Sequence, residues 1–318
     1  MSGTPYLLRL AERLTEGLRD FPAPRRQRHR EFVLSQQADD GGFRGREGES
    51  DLYYTAFAVR SLGLLGGMSA EECESVSAFL RLHHWRELGT IDLLNYVYTS
   101  LAIQTFSGID LFAEEPEGWD IELCDRLEQV RVADGGYSKN AAGAMGSTYH
   151  SFLIVLTYEL LGVEIPNPNR LIQFFYDRQR DDGGFVEIEP MKRSGTNPTA
   201  AASTALQILG GMDDEIRNDI RHFLQDVRSG EGGFQANTRI PFADGLSTFT
   251  GLLTLIDLGI DPDSVLPRQQ IKQFLTHPEE GLELPTGGFR GAAWDMNADT
   301  EYTFYGLGTL GLLGVDDA

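Results

Sequence analysis

Asp51, Ser147, Thr196, Asp244 and Asp299 each stand at the start of a long apolar run. Each is a residue type that can cap a helix or do chemistry. A side-chain oxygen there accepts a hydrogen bond from the first free backbone N–H groups of the helix. That is the structural reading of each one alone. With all these helices pointing the same way, the caps ring one mouth of a cavity, and a ring of caps is also a site. Asp244 and Asp299 open consecutive runs of this kind, and Glu301 follows two residues after Asp299. Such carboxyl groups can do general acid–base work, although a Glu in a first turn also suits the helix dipole. His150 lies three residues beyond Ser147. A positive charge there opposes the dipole, so the ring is expected neutral, as base or donor. Asp244, Glu301, His150 and Asp299 are therefore the candidate catalytic residues.

The same layer holds Tyr53, Tyr54, Tyr149, Tyr302 and Tyr305. Such aromatics are either core or the wall of an apolar ligand site. The segments leading to the apolar runs carry Arg44, Arg46, Lys139, Lys192, Arg193, Arg239 and Arg290 against Glu47, Glu49, Glu187, Glu189 and Asp295. Seven basic against five acidic residues is locally +2 in a chain of net charge −21. A cationic mouth on an acidic protein suits an anionic ligand such as a diphosphate; ordinary surface arginine is the alternative. Arg44, Arg46, Lys192, Arg193, Arg239 and Arg290 are the candidate head-group ligands, with Tyr53, Tyr54, Tyr149 and Tyr302 as candidate walls. His83-His84-Trp85 reads as surface, and no metal site is expected.

These residues recur because the chain repeats. Asp40-Gly-Gly-Phe43, Asp134-Gly-Gly-Tyr137, Asp182-Gly-Gly-Phe185, Glu231-Gly-Gly-Phe234 and Thr286-Gly-Gly-Phe289 each precede an apolar run that ends in Leu-Gly. A sixth copy, from Ile91, lacks the glycines. From Asp51 to Gly66 is fifteen residues, as from Ser147 to Gly162, Asp244 to Gly259 and Asp299 to Gly314. Self-similarity at a period near fifty residues marks a repeat architecture. The apolar runs 51–65, 92–106, 147–161, 197–209, 244–258 and 299–313 read as inner helices, buried all round. The charged, amphipathic runs 69–85, 119–132, 167–180, 213–227 and 266–276 read as outer ones. A polar helix over 25–37 precedes them, and residues 1–22 hold an extra helix over 5–19 that Pro22 and Pro24 break. This pattern predicts an all-α fold, an α/α toroid of six inner and six outer helices, as one domain over 1–318. The Gly-Gly pairs are expected to stop the outer helices as C-caps. The following aromatic is expected to plug the gap between neighbours. Gly251, Gly306, Gly308 and Gly311, inside inner helices, imply close helix contact or room for a ligand.

Composition narrows the function. The charge of −21 argues against nucleic-acid binding. Met1 to Asp20 has no uninterrupted apolar region, so no secretory leader is expected. No run approaches the length of a membrane span. Cys73 and Cys124 form neither a metal spacing nor a disulfide framework, which suits a reducing, cytoplasmic setting.

Gly-Gly-Phe followed by an apolar helix, repeated around a toroid, resembles the prenyltransferase and squalene-cyclase repeat family. Gly232-Gly-Phe-Gln-Ala, and Gly41-Gly-Phe-Arg-Gly-Arg with its following Tyr-Thr-Ala-Phe-Ala, carry the likeness most strongly. It covers about residues 30–314 and is nearest to the β subunits of protein farnesyl- and geranylgeranyltransferases. The resemblance implies a catalytic zinc held by an Asp, a Cys two residues on and a His. The matching positions are Asp244, Leu246 and Tyr302. A leucine cannot ligate zinc, so no zinc cofactor is expected. The family's diphosphate Arg and Lys fall on Thr238 and Pro241, with Arg239 one residue off the first. The Asp-x-Asp-Asp of the cyclase branch is absent, and so is the Cys-Gly-Glu-Gln of complement-type thioester domains.

The resemblance implies an isoprenoid or prenyl diphosphate as ligand and a helical partner subunit. Three functional readings follow. The first is an isoprenoid-pocket protein doing zinc-independent prenyl transfer or cyclisation. The second is a non-catalytic binding module or partner subunit that kept the toroid and lost the zinc site. The third is a glycan-active toroid enzyme using Asp244 with Asp299 or Glu301.

Overall fold

The structure is a computed structural model describing residues 3–314. The first two and last four residues of the expected 1–318 domain lie outside the described ones. The helices are α1 (Tyr6–Gly17), α2 (Ala23–Leu34), α3 (Leu52–Leu64), α4 (Ala70–Leu80), α5 (Thr90–Ser107), α6 (Trp119–Glu128) and α7 (Thr148–Leu161). Then follow α8 (Pro168–Tyr176), α9 (Thr196–Leu209), α10 (Asp214–Asp226), α11 (Gly245–Asp257), α12 (Arg268–Thr276) and α13 (Thr300–Leu313). A two-residue antiparallel pair, β1 (Phe289–Arg290) with β2 (Ala298–Asp299), leads into α13. Among the described residues, no helix is long and apolar enough to cross a membrane.

The chain forms two compact units. One comprises Gly118–Phe274 with the residues up to Leu10. In it α9 lies between α7 and α11, with α6 against α7 and α8 against α9. The other comprises Ala11–Glu117 with the residues from Leu275 on. In it α3 lies between α5 and α13, with α2 against α3 and α4 against α5. The expected inner helices are thus the six that pack side by side within the units, and they are buried over most of their surface.

The Gly-Gly-aromatic corner builds each repeat, and not as an outer-helix cap. The outer helices end at Leu34, Glu128, Tyr176 and Asp226, six or more residues before the glycines. The first glycine instead packs on the backbone of the next outer helix. Gly183 has φ +84°, and a Cβ there would sit 2.3 Å from the Asp219 carbonyl oxygen. Gly41 meets Ser75 in the same way, Gly135 meets Arg170, Gly232 meets Gln270 and Gly287 meets Arg28. The second glycine makes room for an aromatic ring of that helix: Phe79, Phe174, Phe223, Phe274 or Phe32.

The aromatic itself, Phe43, Tyr137, Phe185, Phe234 or Phe289, is fully buried. Its backbone N–H donates to a hydroxyl one turn into the inner helix: Thr55 (2.9 Å), Ser151 (2.9 Å), Thr199 (2.9 Å), Thr248 (3.0 Å) and Thr303 (3.1 Å). The acid before the glycines closes the loop. Asp134 accepts from the N–H of Gly136 at 3.1 Å and of Gly146 at 2.9 Å. Asp182 accepts from the Gly184 N–H and the Ser194 hydroxyl. The glycines inside inner helices serve packing. A Cβ at Gly251 would strike the Phe234 ring, one at Gly306 the Phe289 ring, and one at Gly311 the Leu14 backbone of α1.

The outer helices expected to end at 37, 85, 132 and 180 end at Leu34, Leu80, Glu128 and Tyr176, and two helix starts also differ from the sequence reading. Pro24 lies within the first turn of α2 and Pro22 is its N-cap, so the prolines start that helix. Proline fits there because its missing N–H has no intrahelical partner. Gly195, not Thr196, caps α9, and the Thr196 hydroxyl donates to the Gln235 carbonyl.

A buried carboxylate ties α2 to the segment before β1. Glu283 accepts from Arg25 Nε at 2.8 Å, Arg28 Nη2 at 2.8 Å and His29 Nε2 at 3.1 Å. The His29 Nδ1 accepts from the Gly288 N–H at 3.0 Å, so its proton is on Nε2 and points at Glu283. Burial alone would raise the Glu283 pKa, but the hydrogen bonds from His29 and Arg25 outweigh it and hold it at about 2, below the ordinary 4.5.

Two expectations follow. Gly183→Ala combines left-handed strain with a backbone clash and should destabilise the fold by on the order of 2 kcal/mol, read as a lower urea midpoint. Glu283→Gln leaves three donors facing a neutral amide and should destabilise by about 3–5 kcal/mol. Because ionisation of Glu283 favours the folded state, its contribution is complete above the ordinary carboxyl pKa. It is lost as pH falls from about 4.5 through about 2. The acid limb of the stability profile should flatten in the variant.

Candidate functional site

Four of the inner helices carry the expected caps. Asp51 accepts from the Tyr54 N–H at 2.7 Å, Ser147 from His150 at 3.1 Å, Asp244 from Ser247 at 2.7 Å and Asp299 from Tyr302 at 2.8 Å. The candidate residues divide between the units. Arg44, Arg46, Tyr53, Tyr54, Arg290, Asp299, Glu301 and Tyr302 belong to the unit of α3, α5 and α13. Tyr149, His150, Lys192, Arg193, Arg239 and Asp244 belong to the unit of α7, α9 and α11.

In the first set Glu301 is the best-placed acid. The Tyr53 hydroxyl donates to its Oε1 at 2.8 Å. Burial raises its pKa, and the charge of Asp299 adds to that against the Tyr53 hydrogen bond. An aromatic wall stands beside it. Phe57 meets Tyr53 at 5.0 Å between centroids, Tyr305 at 5.4 Å and Phe304 at 5.7 Å. Tyr54 packs over Gly45 and Tyr302 over Gly291, so these two fill space above loop backbone.

The expected cationic mouth is largely consumed here. Arg46 pairs with Asp295 at 2.6 Å and with Asp299 at 3.0 Å, above the Tyr302 ring. Arg290 is buried, and its guanidinium donates to the carbonyls of Gly281, Glu280 and Asp295. Arg290 is therefore a structural plug, not a head-group ligand, because its donors meet backbone acceptors. Asp299 is 4% exposed, and burial raises its pKa against the opposing pull of the Tyr302 N–H and Arg46. With a cap bond and an ion pair in place, it holds Arg46 and α13. Arg44 remains exposed.

In the second set the Ser147 hydroxyl lies between His150 Nδ1, at 2.8 Å, and Glu187 Oε1, to which it donates. A hydroxyl has one proton. Given to Glu187, it leaves the oxygen to accept from Nδ1, and the lone pair of the ring falls on Nε2. That Nε2 is buried without a hydrogen-bond partner among the described residues. Burial lowers the His150 pKa and Lys139 adds to this, which favours the neutral ring. Burial likewise raises Glu187. Asp244 is engaged by the Ser247 N–H and, at 2.8 Å, its hydroxyl; burial raises its pKa. Tyr149 is 39% exposed. Lys192 and Arg239 are exposed on the loops, and Arg193 Nη1 donates to Thr238 Oγ1 at 3.1 Å. The guanidinium of one loop thus reaches the position where the resembled β subunits carry an Arg on the next. Among the described residues, no group of three or more His, Cys, Asp or Glu could hold a metal ion.

Sequence reasoning missed three features. Glu187 was legible only as a loop charge, since its pairing with Ser147 crosses forty residues. The reach of Arg193 to Thr238 is likewise tertiary. Arg60, the one charged residue within α3, did carry a signal: a lone cation in an apolar inner helix.

Comparison with known proteins places these features. Among curated proteins, none matches the sequence. Among solved structures, protein geranylgeranyltransferase-I of Candida albicans, complexed with GGPP, aligns over 90% of both chains with TM-score 0.71 and 14% identity. A type II terpene cyclase from Scytonema, in complex with merosterolic acid A, aligns over 96% of this chain and 98% of its own, with TM-score 0.61 and 14% identity. An inactive variant of an α-1,6-mannanase from a Salegentibacter species, with α-1,6-mannotetrose, aligns over 92% and 98%, with TM-score 0.60 and 12% identity. At such identities these likenesses speak for the fold. The prenyltransferase alpha-alpha toroid domain family matches residues 6–95 and 88–318, nearly the whole chain. The repeat of Gly-Gly-aromatic corners and buried inner helices is thus that of an α/α toroid, and the chain belongs to the prenyltransferase α/α toroid domain family.

Proposed function

We propose that this protein binds an isoprenoid against the aromatic face of α3 and α13 and acts on it by zinc-independent proton transfer from Glu301. The observation that carries this reading is the pairing of a half-buried carboxyl of raised pKa with an unbroken aromatic wall. A raised pKa lets a carboxyl hold its proton to higher pH and serve as a general acid. Ring faces stabilise a cation beside them. In the reaction proposed, the Glu301 proton adds to an alkene carbon of the chain. A second alkene of the chain attacks the resulting carbocation, which closes the ring and moves the cation to that alkene's other carbon, and loss of a proton to a base ends the sequence. Leu246 and Tyr302, at the positions where the resembled β subunits hold zinc, support chemistry without that metal. In the unit that carries this wall, Arg44 is the exposed loop cation left for a head group. His150 is a second proton-handling group, in its own unit.

Native mass spectrometry with farnesyl and geranylgeranyl diphosphate, followed by product analysis, tests the reading. A stoichiometric adduct and a cyclised product are expected. Absence of any adduct overturns it and favours a binding module that retains the toroid alone. The mass of the native protein also reports a helical partner subunit.

Glu301→Gln should lower turnover by about 10²–10⁴-fold, with isoprenoid binding changed less than about threefold. An acid works only while protonated, so activity should fall as pH rises through the Glu301 pKa. The Tyr53 hydrogen bond favours the ionised form, so Tyr53→Phe should raise that pKa and move the alkaline limb to higher pH.

A further inference from the structure

In the unit of α3, α5 and α13, the half-buried and buried arginines are Arg25, Arg26, Arg28, Arg30, Arg60 and Arg290. Five of them reach oxygen. Arg25 and Arg28 bind Glu283. Arg26 binds the Leu18 and Leu64 carbonyls, Arg30 binds Glu72, and Arg290 binds three carbonyls. Arg60 has no hydrogen-bond or ion-pair partner among the described residues. Aromatic rings face it instead: Phe57 at 5.2 Å, Tyr98 of α5 at 5.6 Å and Phe304 of α13 at 6.0 Å. Rings take the face of a guanidinium and leave its N–H edge free, and that edge matches a carboxylate or phosphate with two parallel hydrogen bonds.

The position of Arg60 adds to this. Tyr53, Phe57 and Arg60 follow one another at spacings of four and three, so they share one face of α3. Seven residues of helix rise about 10 Å. The wall therefore has a carboxyl at its Tyr53 end, where Glu301 sits, and an unneutralised cation at its other end.

We infer that Arg60 is an anion-binding site for the end group of the apolar ligand that lies on this wall. The ligand class is an isoprenoid chain that ends in a carboxylate or phosphate, with its far alkene toward Glu301 and its charged end at Arg60. This rests on the isoprenoid wall proposed above. It places the anionic end on an inner helix instead of on the loop cation.

The test compares farnesol, farnesoic acid and farnesyl monophosphate, three ligands sharing one chain. Their binding is measured by titration on the full chain, wild type, Arg60→Gln and Arg60→Lys. Wild type should bind the acid and the phosphate at least about tenfold tighter than the alcohol. Arg60→Gln should bind all three alike, with the alcohol unchanged within about twofold. Arg60→Lys should keep part of the preference, since it keeps charge without the fork. A second measurement needs no variant: farnesoic acid, and not farnesol, should protect Arg60 of the wild type from phenylglyoxal, mapped by peptide mass.

Equal wild-type affinity for acid and alcohol overturns the inference, and Arg60 then only bridges the rings. So does an anion preference that survives Arg60→Gln and disappears in an Arg44→Ala variant. Those two outcomes leave the isoprenoid wall standing. Failure of all three ligands to bind overturns the wall, and with it the ligand class given to Arg60.

Discussion

The close approach of each Gly-Gly turn to the next outer helix is the constraint on which the molecule depends. At Gly183 the turn lies so near the Asp219 carbonyl that no side chain fits. That contact fixes where the following aromatic goes. The ring is buried without exception in the five corners, and its backbone N–H is satisfied by an inner-helix hydroxyl. A buried N–H without a partner is costly, so this hydroxyl is as necessary as the ring. One corner therefore joins an outer helix, an inner helix and the loop that carries the site residues.

The carboxylate before the glycines extends the corner into function. Asp134 and Asp182 hold both ends of the loop that leads to the inner helix. The loop is thereby rigid at its root, and its acidic and basic side chains are presented from a fixed frame. Where these side chains find partners, they become structure. Arg46 and Arg290 show this: one is neutralised by Asp295 and Asp299, the other by three carbonyls. The cations that remain free define where an anion can be held. Burial then selects among the acids. Glu301, Asp299, Asp244 and Glu187 all have raised pKa values, but Asp299 and Asp244 are occupied by caps. Glu301 alone of the four stands beside the aromatic wall, bonded to the Tyr53 hydroxyl.

The helix-forming code was legible in one dimension. Period, composition and the fifteen-residue spacing located all six inner helices, because a helix buried all round must be apolar all round. The capping residues Asp51, Ser147, Asp244 and Asp299 were legible for the same local reason: a cap and its N–H groups lie within three residues. The Gly-Gly pairs were legible as turns but not in their role. A C-cap is a local event, whereas the contact of Gly183 with Asp219 joins residues far apart in sequence. Pro24 was read as a breaker because proline ends helices, yet at the first turn it begins one.

The sequence by itself determined the repeat, its helices, its caps and the absence of the zinc-site cysteine and histidine from the matching positions, since each depends only on residue type and local spacing. Tertiary structure alone decided which charges are free. Formal charge counts Arg46, Arg60 and Arg290 as equal. Their surroundings make the first an ion pair, the third a buried plug and the second a cation faced by rings. That difference arises from partners brought in by other helices and loops, and interaction with a partner depends on distance in space, which sequence separation does not give.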